Sequence, residues 1–185
     1  LFPMHTFYWG EWHKTSVLGP ERAAYISPTR DVLDAGLIFT SHHDAPVALP
    51  DSMRVLSSTV TRVTRSGEVL GPDQRVTAYE GLKAITIWPA YQHYEEKQKG
   101  SIEVGKQAEF VILSENPLTV DPLTIADIKV LQTINDDKVV FTYKEATPKV
   151  VGGDRDEHDC IGSAGYQWCE SIGQCVRPWE LAKEK

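Results

Sequence analysis

The pattern of apolar and polar positions changes period along the chain. Up to about Gly100 apolar residues recur mainly at helical spacing, and beyond it they alternate as in strands. The clearest helical segment is 52–62, in which Met53, Leu56 and Val60 share one face and Asp51 stands at the N-cap position. The pattern therefore predicts a βα region followed by a small β unit.

Further helices are predicted on both sides of this segment. Short ones are expected at 21–25 and 29–35, the second ended by Gly36. The longest runs over 77–96 and begins with a T-x-x-E capping box. Pro89 lies inside it and lacks a backbone donor, so we expect a kink or a break there.

Strands are predicted from apolar and alternating runs. The apolar run at 37–41 indicates a short buried strand, and the alternating segments are 108–113, 128–134 and 139–143. The last two are joined by a short polar turn and form a hairpin. The aromatic segment 5–13 has no clean period, and we interpret it as a strand or strand end followed by a loop.

Composition and charge narrow the class of protein. The chain has 185 residues, of which 41% are hydrophobic and 24% charged, which suits one globular domain with a small appendage. A net charge of -7 without a basic patch argues against nucleic-acid binding. No apolar stretch approaches the roughly 20 residues of a membrane span. The opening Leu-Phe-Pro-Met resembles neither an initiator nor a signal peptide, so we expect a start within a longer protein.

The main candidate for catalysis is Asp44, which closes the run Ser-His-His-Asp after the predicted strand 37–41. A carboxylate at the end of a barrel strand is able to hold a divalent metal and take a proton from bound water. The alternative is that Asp44 caps a turn at the following Ala-Pro. His42 precedes Asp44 by two residues and faces the same side of an extended chain, so we expect it to contact substrate. A role in supporting a ligand or a place on the surface is an equal alternative.

Other candidates are weaker. His5 and Trp9 would contact substrate if a strand that precedes them ends at the same substrate cleft as Asp44. Aromatic residues, however, more often serve packing. We expect His13 in a solvated loop. Arg62 is a candidate partner for a substrate carboxylate, with an ion pair to Glu21 or Asp51 as the ordinary alternative.

Ordered motifs over residues 5–143 resemble the C-terminal third of metal-dependent amidohydrolases, in the branch that contains N-substituted formamide deformylases. The motifs that carry this resemblance include His5-Thr6-Phe7-Tyr8-Trp9-Gly10, Leu18-Gly19-Pro20-Glu21-Arg22-Ala23, His42-His43-Asp44-Ala45-Pro46-Val47, Gly100-Ser101-Ile102-Glu103-Val104-Gly105-Lys106 and Asn116-Pro117.

The resemblance implies an α/β protein: the C-terminal part of a (β/α)8 barrel, contributing its last strand and helices, with strands of a small β-sandwich. It maps residues 1–100 to the barrel and 101–144 to the sandwich. The polar, Gly-containing stretch 145–159 is expected to be a linker, and a Cys-rich tail follows at 160–185. On this mapping 37–41 is the last barrel strand. Asp44 then matches the metal-binding aspartate that follows it.

The resemblance also implies the chemistry. The expected reaction is hydrolysis of an amide or N-formyl C–N bond in a small molecule, with Asp44 as metal ligand and general acid/base. The expected cofactor is zinc, as one or two ions, with most ligands outside this chain because the family's H-x-H pair and other histidines have no match here. The expected partner is the N-terminal part of the same enzyme, without which the chain would be inactive; a homo-oligomer is left open.

Two alternatives come from other classes of protein. One is a non-catalytic fragment that serves as an interaction module. The other is a pseudoenzyme that keeps the barrel without its metal. A metal measurement together with Asp44→Asn separates both from the hydrolase.

The tail carries all three cysteines, Cys160, Cys169 and Cys175. Their spacing does not match a zinc knuckle, and an odd count leaves one thiol free or paired outside this chain. The tail resembles a small Cys-rich module of exported bacterial proteins, in which a fourth cysteine follows the Trp-Glu pair. One bridge among the three cysteines would favour a secreted or periplasmic location over the cytoplasm.

Overall fold

The computed structural model describes residues 1–145 and 154–181, which divide into the units Leu1–Tyr143 and Lys144–Lys185. The helical elements of the first unit are α1 (Met4–Trp12), a π-helical turn (His13–Val17), α2 (Gly19–Ala24), α3 (Thr29–Asp34), α4 (Ser52–Thr61), a 3-10 turn (Pro72–Gln74), α5 (Ala78–Ile85), α6 (Ile87–Gln92) and a second 3-10 turn (Pro122–Asp127). Helices and strands together fit the α/β class. No helix of the described residues is long and apolar enough to cross a membrane.

α4 lies at the centre of the core. The Asp51 carboxylate accepts a hydrogen bond from the Arg54 backbone N–H at 3.0 Å, which confirms the predicted cap. The predicted apolar face belongs to a buried cluster of Met53, Leu56, Val60, Ile125 and Ile128. The other side of the helix is buried too, because Val55 packs with Met4 of α1.

The segment 5–13 is helical, so the prediction of a strand and loop is wrong. Its aromatic residues favour strands by propensity. Tertiary packing decides otherwise, because Met4, Thr6 and Gly10 of α1 are buried against the rest of the unit. A Cβ on Gly10 would come within 2.9 Å of the Leu70 side chain, which shows how closely this helix approaches its neighbour.

The segment 37–41 is extended but forms no strand, which corrects the prediction of a buried barrel strand. Leu37 and Ile38 are 62% and 44% exposed. Part of its backbone pairs with Leu1 as in one rung of a parallel ladder: the Leu1 nitrogen donates to the Thr40 carbonyl at 2.7 Å, and the His42 N–H donates to the Leu1 carbonyl at 3.3 Å. The Ser41 N–H donates to the Ala84 carbonyl at the end of helix α5, at 2.9 Å. A strand needs hydrogen-bonding neighbours along its length, and these scattered contacts do not form such a ladder.

The predicted helix over 77–96 is divided into α5 and α6. The capping box at Thr77 and Glu80 is confirmed. The break falls at Thr86, with φ -129° and ψ -91°, rather than at Pro89. The proline ring clashes with the carbonyl four residues earlier, at Ile85, so α5 ends there and Pro89 lies in the first turn of α6, where its missing N–H costs nothing.

A three-stranded antiparallel sheet, in the order β1-β2-β3, follows the helices. Its strands are β1 (Phe110–Leu113), β2 (Val130–Asn135) and β3 (Lys138–Thr142). The predicted hairpin is confirmed: Asp136 and Asp137, with φ of 49° and 62°, form the two-residue turn. All of β3 is exposed, although its sequence is apolar.

The second unit is a small disulfide-linked module. Cys160 is bonded to Cys175, and Cys169 is the free cysteine. Strand β4 (Gln167–Cys169) pairs with β5 (Gln174–Val176), and the short helix α7 (Pro178–Leu181) follows. Residues 146–153 of the expected linker lie outside the described residues, whereas Arg155 already forms a β-bridge with Ile161.

Candidate functional site

Asp44 lies in a tight turn directly after the extended segment. Its backbone is left-handed, with φ 56°, and its carbonyl accepts a hydrogen bond from the Val47 N–H at 2.7 Å. The Ala45 N–H donates to His43 Nδ1 at 3.2 Å, so a histidine ring caps the turn. The Asp44 carboxylate has no hydrogen bond within the part of the chain that the structure describes. The turn therefore forms without using the carboxylate, which weakens the turn-capping alternative.

An open pocket of about 330 Å³ brings several of the candidate residues together. Its lining consists of Phe2, His5, Trp9, Trp12, His13, Asp44 and Val47. Three of the four predicted site residues, His5, Trp9 and Asp44, thus share one cavity. His42 is not part of the lining and instead stacks on Phe2, with ring centroids 5.2 Å apart.

The surroundings of His5 and His42 lower the pKa values of both rings. Partial burial lowers the pKa of His5, and the nearby His13 lowers it further. Partial burial also lowers the pKa of His42, and the Asp44 carboxylate opposes that effect. Both rings are therefore biased toward the neutral form that binds metals and exchanges protons.

His13 was missed by the sequence reasoning, which placed it in a solvated loop. The structure places it at the start of the π-helical turn, half-buried, with its Nε2 atom 2.8 Å from His5 Nε2. Eight residues of α-helix rise about 12 Å, so both rings reach along the helix axis to meet. Only a helical interpretation of 5–13 brings these two residues together, because a strand would hold them roughly 26 Å apart.

Arg62 is structural, contrary to both sequence-based expectations. Its side chain is 0% exposed, and no carboxylate is among its hydrogen-bond partners. The guanidinium donates to the backbone carbonyls of Ala24, Ile26, Ser27 and Leu70. Burial and the charge of Arg75 lower the pKa of Arg62 to about 10. The hydrogen bonds of Arg62 therefore connect the end of α2 with the segment that follows α4.

For the metal that the resemblance implies, the described residues offer a candidate ligand and not a complete site. Within 1–145 and 154–181, no three His, Cys, Asp or Glu side chains lie close enough to hold one ion. Asp44 is an exposed carboxylate on the pocket, and carboxylate oxygen is a regular zinc ligand. The chemistry of this carboxylate thus fits a single metal ligand.

Comparison with known proteins identifies the class. Residues 1–141 match the amidohydrolase family, and the chain belongs to it. The N-substituted formamide deformylase of Arthrobacter pascens is 31% identical over 134 residues, which are 72% of this chain and 25% of that protein. Amidohydrolase YtcJ of Bacillus subtilis (strain 168) is 25% identical over 127 residues, which are 67% of this chain and 24% of that protein.

The chain thus spans about a quarter of the length of these curated relatives. Among solved structures, an amidohydrolase from Thermotoga maritima MSB8 matches with a TM-score of 0.46 and 22% identity, covering 61% of this chain and 25% of that one. A likeness at this score supports no conclusion about the barrel. The family assignment rests on the sequence match over residues 1–141.

Proposed function

We propose that this chain is the C-terminal part of a metal-dependent hydrolase that cleaves an amide or N-formyl C–N bond in a small molecule. The observation that carries the proposal is the Asp44 carboxylate, which has no hydrogen bond within the described residues and lies on a pocket with two histidines and three aromatic rings. Membership of the amidohydrolase family supports the reaction class. The name of the Arthrobacter relative supports an N-formyl substrate.

In this reaction Asp44 would have two roles, as a metal ligand and as the group that transfers a proton. One carboxylate oxygen would be a ligand of a zinc ion, whose other ligands come from outside this chain. Bound zinc polarises a carbonyl and lowers the pKa of its water. A carboxylate oxygen of Asp44 takes the proton from the attacking water and returns it to the amide nitrogen as the C–N bond breaks. The products are a carboxylic acid, which is formate for an N-formyl substrate, and an amine.

Other residues of the pocket would bind the substrate. His5 offers a polar ring atom, and Trp9 offers an apolar face beside it, with ring centroids 5.7 Å apart. His42 lies behind Phe2, so its expected substrate contact becomes support for that ring. The apolar wall would exclude water from the amide and hold its nitrogen substituent.

Asp44→Asn tests the role of the carboxylate in the gene product that contains this sequence. Formate release from formanilide should fall about 10²- to 10⁴-fold, because a proton acceptor is lost. Zinc content, measured by mass spectrometry on the purified protein, should fall as well. Asp137→Asn is a matched control, since it makes the same change at a left-handed residue of the hairpin turn. Unchanged rate and zinc content in Asp44→Asn would refute the proposal and favour the binding module or the pseudoenzyme.

The proposed partner is the N-terminal part of the same enzyme. Its support is the apolar surface that this chain leaves uncovered: the whole of β3 and the extended residues Leu37 and Ile38 are exposed. Such a surface is typical of an interface. When the gene is divided before Leu1 and both parts are coexpressed, they should copurify with zinc and activity. Separate purification of stable, soluble parts would contradict this partner.

The location proposed for the protein is an oxidising compartment, such as the periplasm or the exterior of the cell. Its support is the Cys160–Cys175 disulfide of the second unit. Thiol labelling of protein taken directly from cells should modify Cys169 alone among the three cysteines. Labelling of all three would contradict an oxidising location.

A further inference from the structure

Two histidine rings meet in the pocket, and the proposed chemistry assigns no role to their contact. His5 Nε2 and His13 Nε2 are 2.8 Å apart, and the ring planes are nearly perpendicular, at 84°. A neutral imidazole carries one N–H, so one ring donates through Nε2 and the other accepts. The direction of this hydrogen bond decides which nitrogen of His5 holds its proton.

The other ring nitrogen of His13 settles the direction. His13 Nδ1 is buried and has no hydrogen-bond partner within the described residues. If His13 accepted at Nε2, its proton would sit on Nδ1 as a buried donor without an acceptor. Among backbone groups an unpaired buried N–H is rarer than an unpaired buried acceptor, and we apply the same order to the imidazole ring. His13 therefore donates from Nε2 and keeps a bare Nδ1.

His5 consequently accepts at Nε2 and carries its own proton on Nδ1. That atom has no hydrogen bond within the described residues, and it is not among the buried atoms that lack a partner, so it is open to solvent. Packing holds the ring itself: Phe2 stacks on it at 5.5 Å, and Trp9 meets it edge-on at 5.7 Å. His5 lines the pocket, and its Nδ1–H is a donor that no described residue uses.

We infer that His13 is a positioning residue that holds His5 as the Nδ1–H tautomer, so that His5 donates a hydrogen bond to the carbonyl oxygen of an amide in the pocket. The ligand rests on the proposed function, whereas the tautomer does not. Trp12 supports this arrangement because it lies against the His13 ring, with centroids 5.1 Å apart.

Solid-state ¹⁵N NMR on protein labelled only in its histidine rings reads the tautomer directly. At about pH 9, above the ordinary pKa of histidine, the His5 signals should show a protonated Nδ1 and a bare Nε2. His13→Phe keeps a ring beside Trp12 but removes the donor, so His5 should become a mixture of tautomers. His13→Glu replaces the donor with an acceptor, so His5 should switch to Nε2–H. His93→Phe, on an exposed histidine at the end of α6, should change nothing.

Kinetics supply the second measurement. With formanilide, His13→Phe should lower kcat/KM about tenfold, the effect of one misdirected hydrogen bond. His13→Gln keeps a donor near the Nε2 position and should retain most of the rate, which a purely structural role of the ring would not predict. A hydrolase whose His5 is Nε2–H, or whose tautomer survives His13→Glu, overturns this inference alone. A protein that keeps the Nδ1–H tautomer but hydrolyses no amide overturns the proposed function alone.

Discussion

α4 and the strand β3 lie in the same unit and are both rich in apolar residues, yet they end in opposite environments. Leu56 of α4 is 0% exposed, whereas Phe141 and Val140 of β3 are 47% and 62% exposed. α4 is surrounded by α1, α5 and the 3-10 turn over Pro122–Asp127, all supplied by this chain. β3 pairs with β2, and each of its five residues is exposed. Apolar patterning therefore indicates which surface is suited to burial. The rest of the fold decides whether this chain itself buries that surface.

The largest effect should come from the residue that ends α4. Arg62→Met would remove a donor from four buried or partly buried backbone carbonyls, of which the Ser27 carbonyl keeps the Thr29 N–H, and we expect a loss of about 4 kcal/mol in the free energy of unfolding. Urea denaturation followed by circular dichroism measures it. Arg22→Met, at an exposed position on α2, is the control and should cost little. Equal stability of the two variants would contradict the structural role of Arg62.

A direct comparison of the two regions comes from truncating one large residue in each. Leu56→Ala should destabilise the chain by about 3 kcal/mol, because a fully buried side chain leaves a cavity. Phe141→Ala should cost less than about 1 kcal/mol, because nearly half of its surface already contacts water. Denaturant midpoints of the two variants give the difference. Similar losses would mean that the sheet is covered within this chain.

A smaller effect is expected at the start of α5. Burial acts to raise the pKa of Glu80, but hydrogen bonds from Arg30 and from Thr77 outweigh it and lower that pKa. A lowered pKa in the folded state stabilises the protein above the ordinary value of glutamate, and this contribution disappears as the pH falls through the folded pKa. Glu80→Gln should therefore flatten the pH dependence of stability below about pH 5.

Thr77→Ala removes the other half of the capping box and should cost about 1 kcal/mol at neutral pH. Thermal melts over a pH series measure both variants. A slope for Glu80→Gln that matches the unmodified chain would show that this carboxyl does not contribute.

The smallest change in the free energy of unfolding is expected for a variant of β3, and this variant tests most directly whether the sheet is covered in the longer gene product. Val140→Thr keeps a β-branched side chain at an exposed position, so the free energy of unfolding of the chain should change by less than about 0.5 kcal/mol. In the longer gene product the same change should cost about 1 kcal/mol or more, if the proposed partner buries this residue. Equal costs in both settings would leave the sheet without a covering partner.

Local sequence signals were reliable wherever the stabilising contact was also local. The N-cap at Asp51, the capping box at Thr77 and the hairpin turn at Asp136 were all predicted correctly, because each depends on residues within a few positions. The family motifs identified the class through ordered short segments. Asp44 was found in the same way, and its catalytic role stays a prediction.

Sequence-based predictions failed where contacts with distant residues decide the local structure. The aromatic segment 5–13 has strand propensity, but Met4 and Gly10 pack against residues far along the chain and make it a helix. The pairing of His5 with His13 follows from that helix and was not visible before it. The position of the break near Pro89 was missed for a local reason instead: the proline ring constrains the residues before it, so the break falls at Thr86.

By itself, the sequence determined the family, the turns and caps, and the candidate carboxylate, because each depends on residues that are close together along the chain. The tertiary structure alone decided that α1 is a helix, that Arg62 is buried among carbonyls, and that two histidines eight residues apart share a hydrogen bond. The physical reason is that packing and burial depend on which distant surfaces meet. Free energies of that kind exceed the small local preferences that a sequence pattern records.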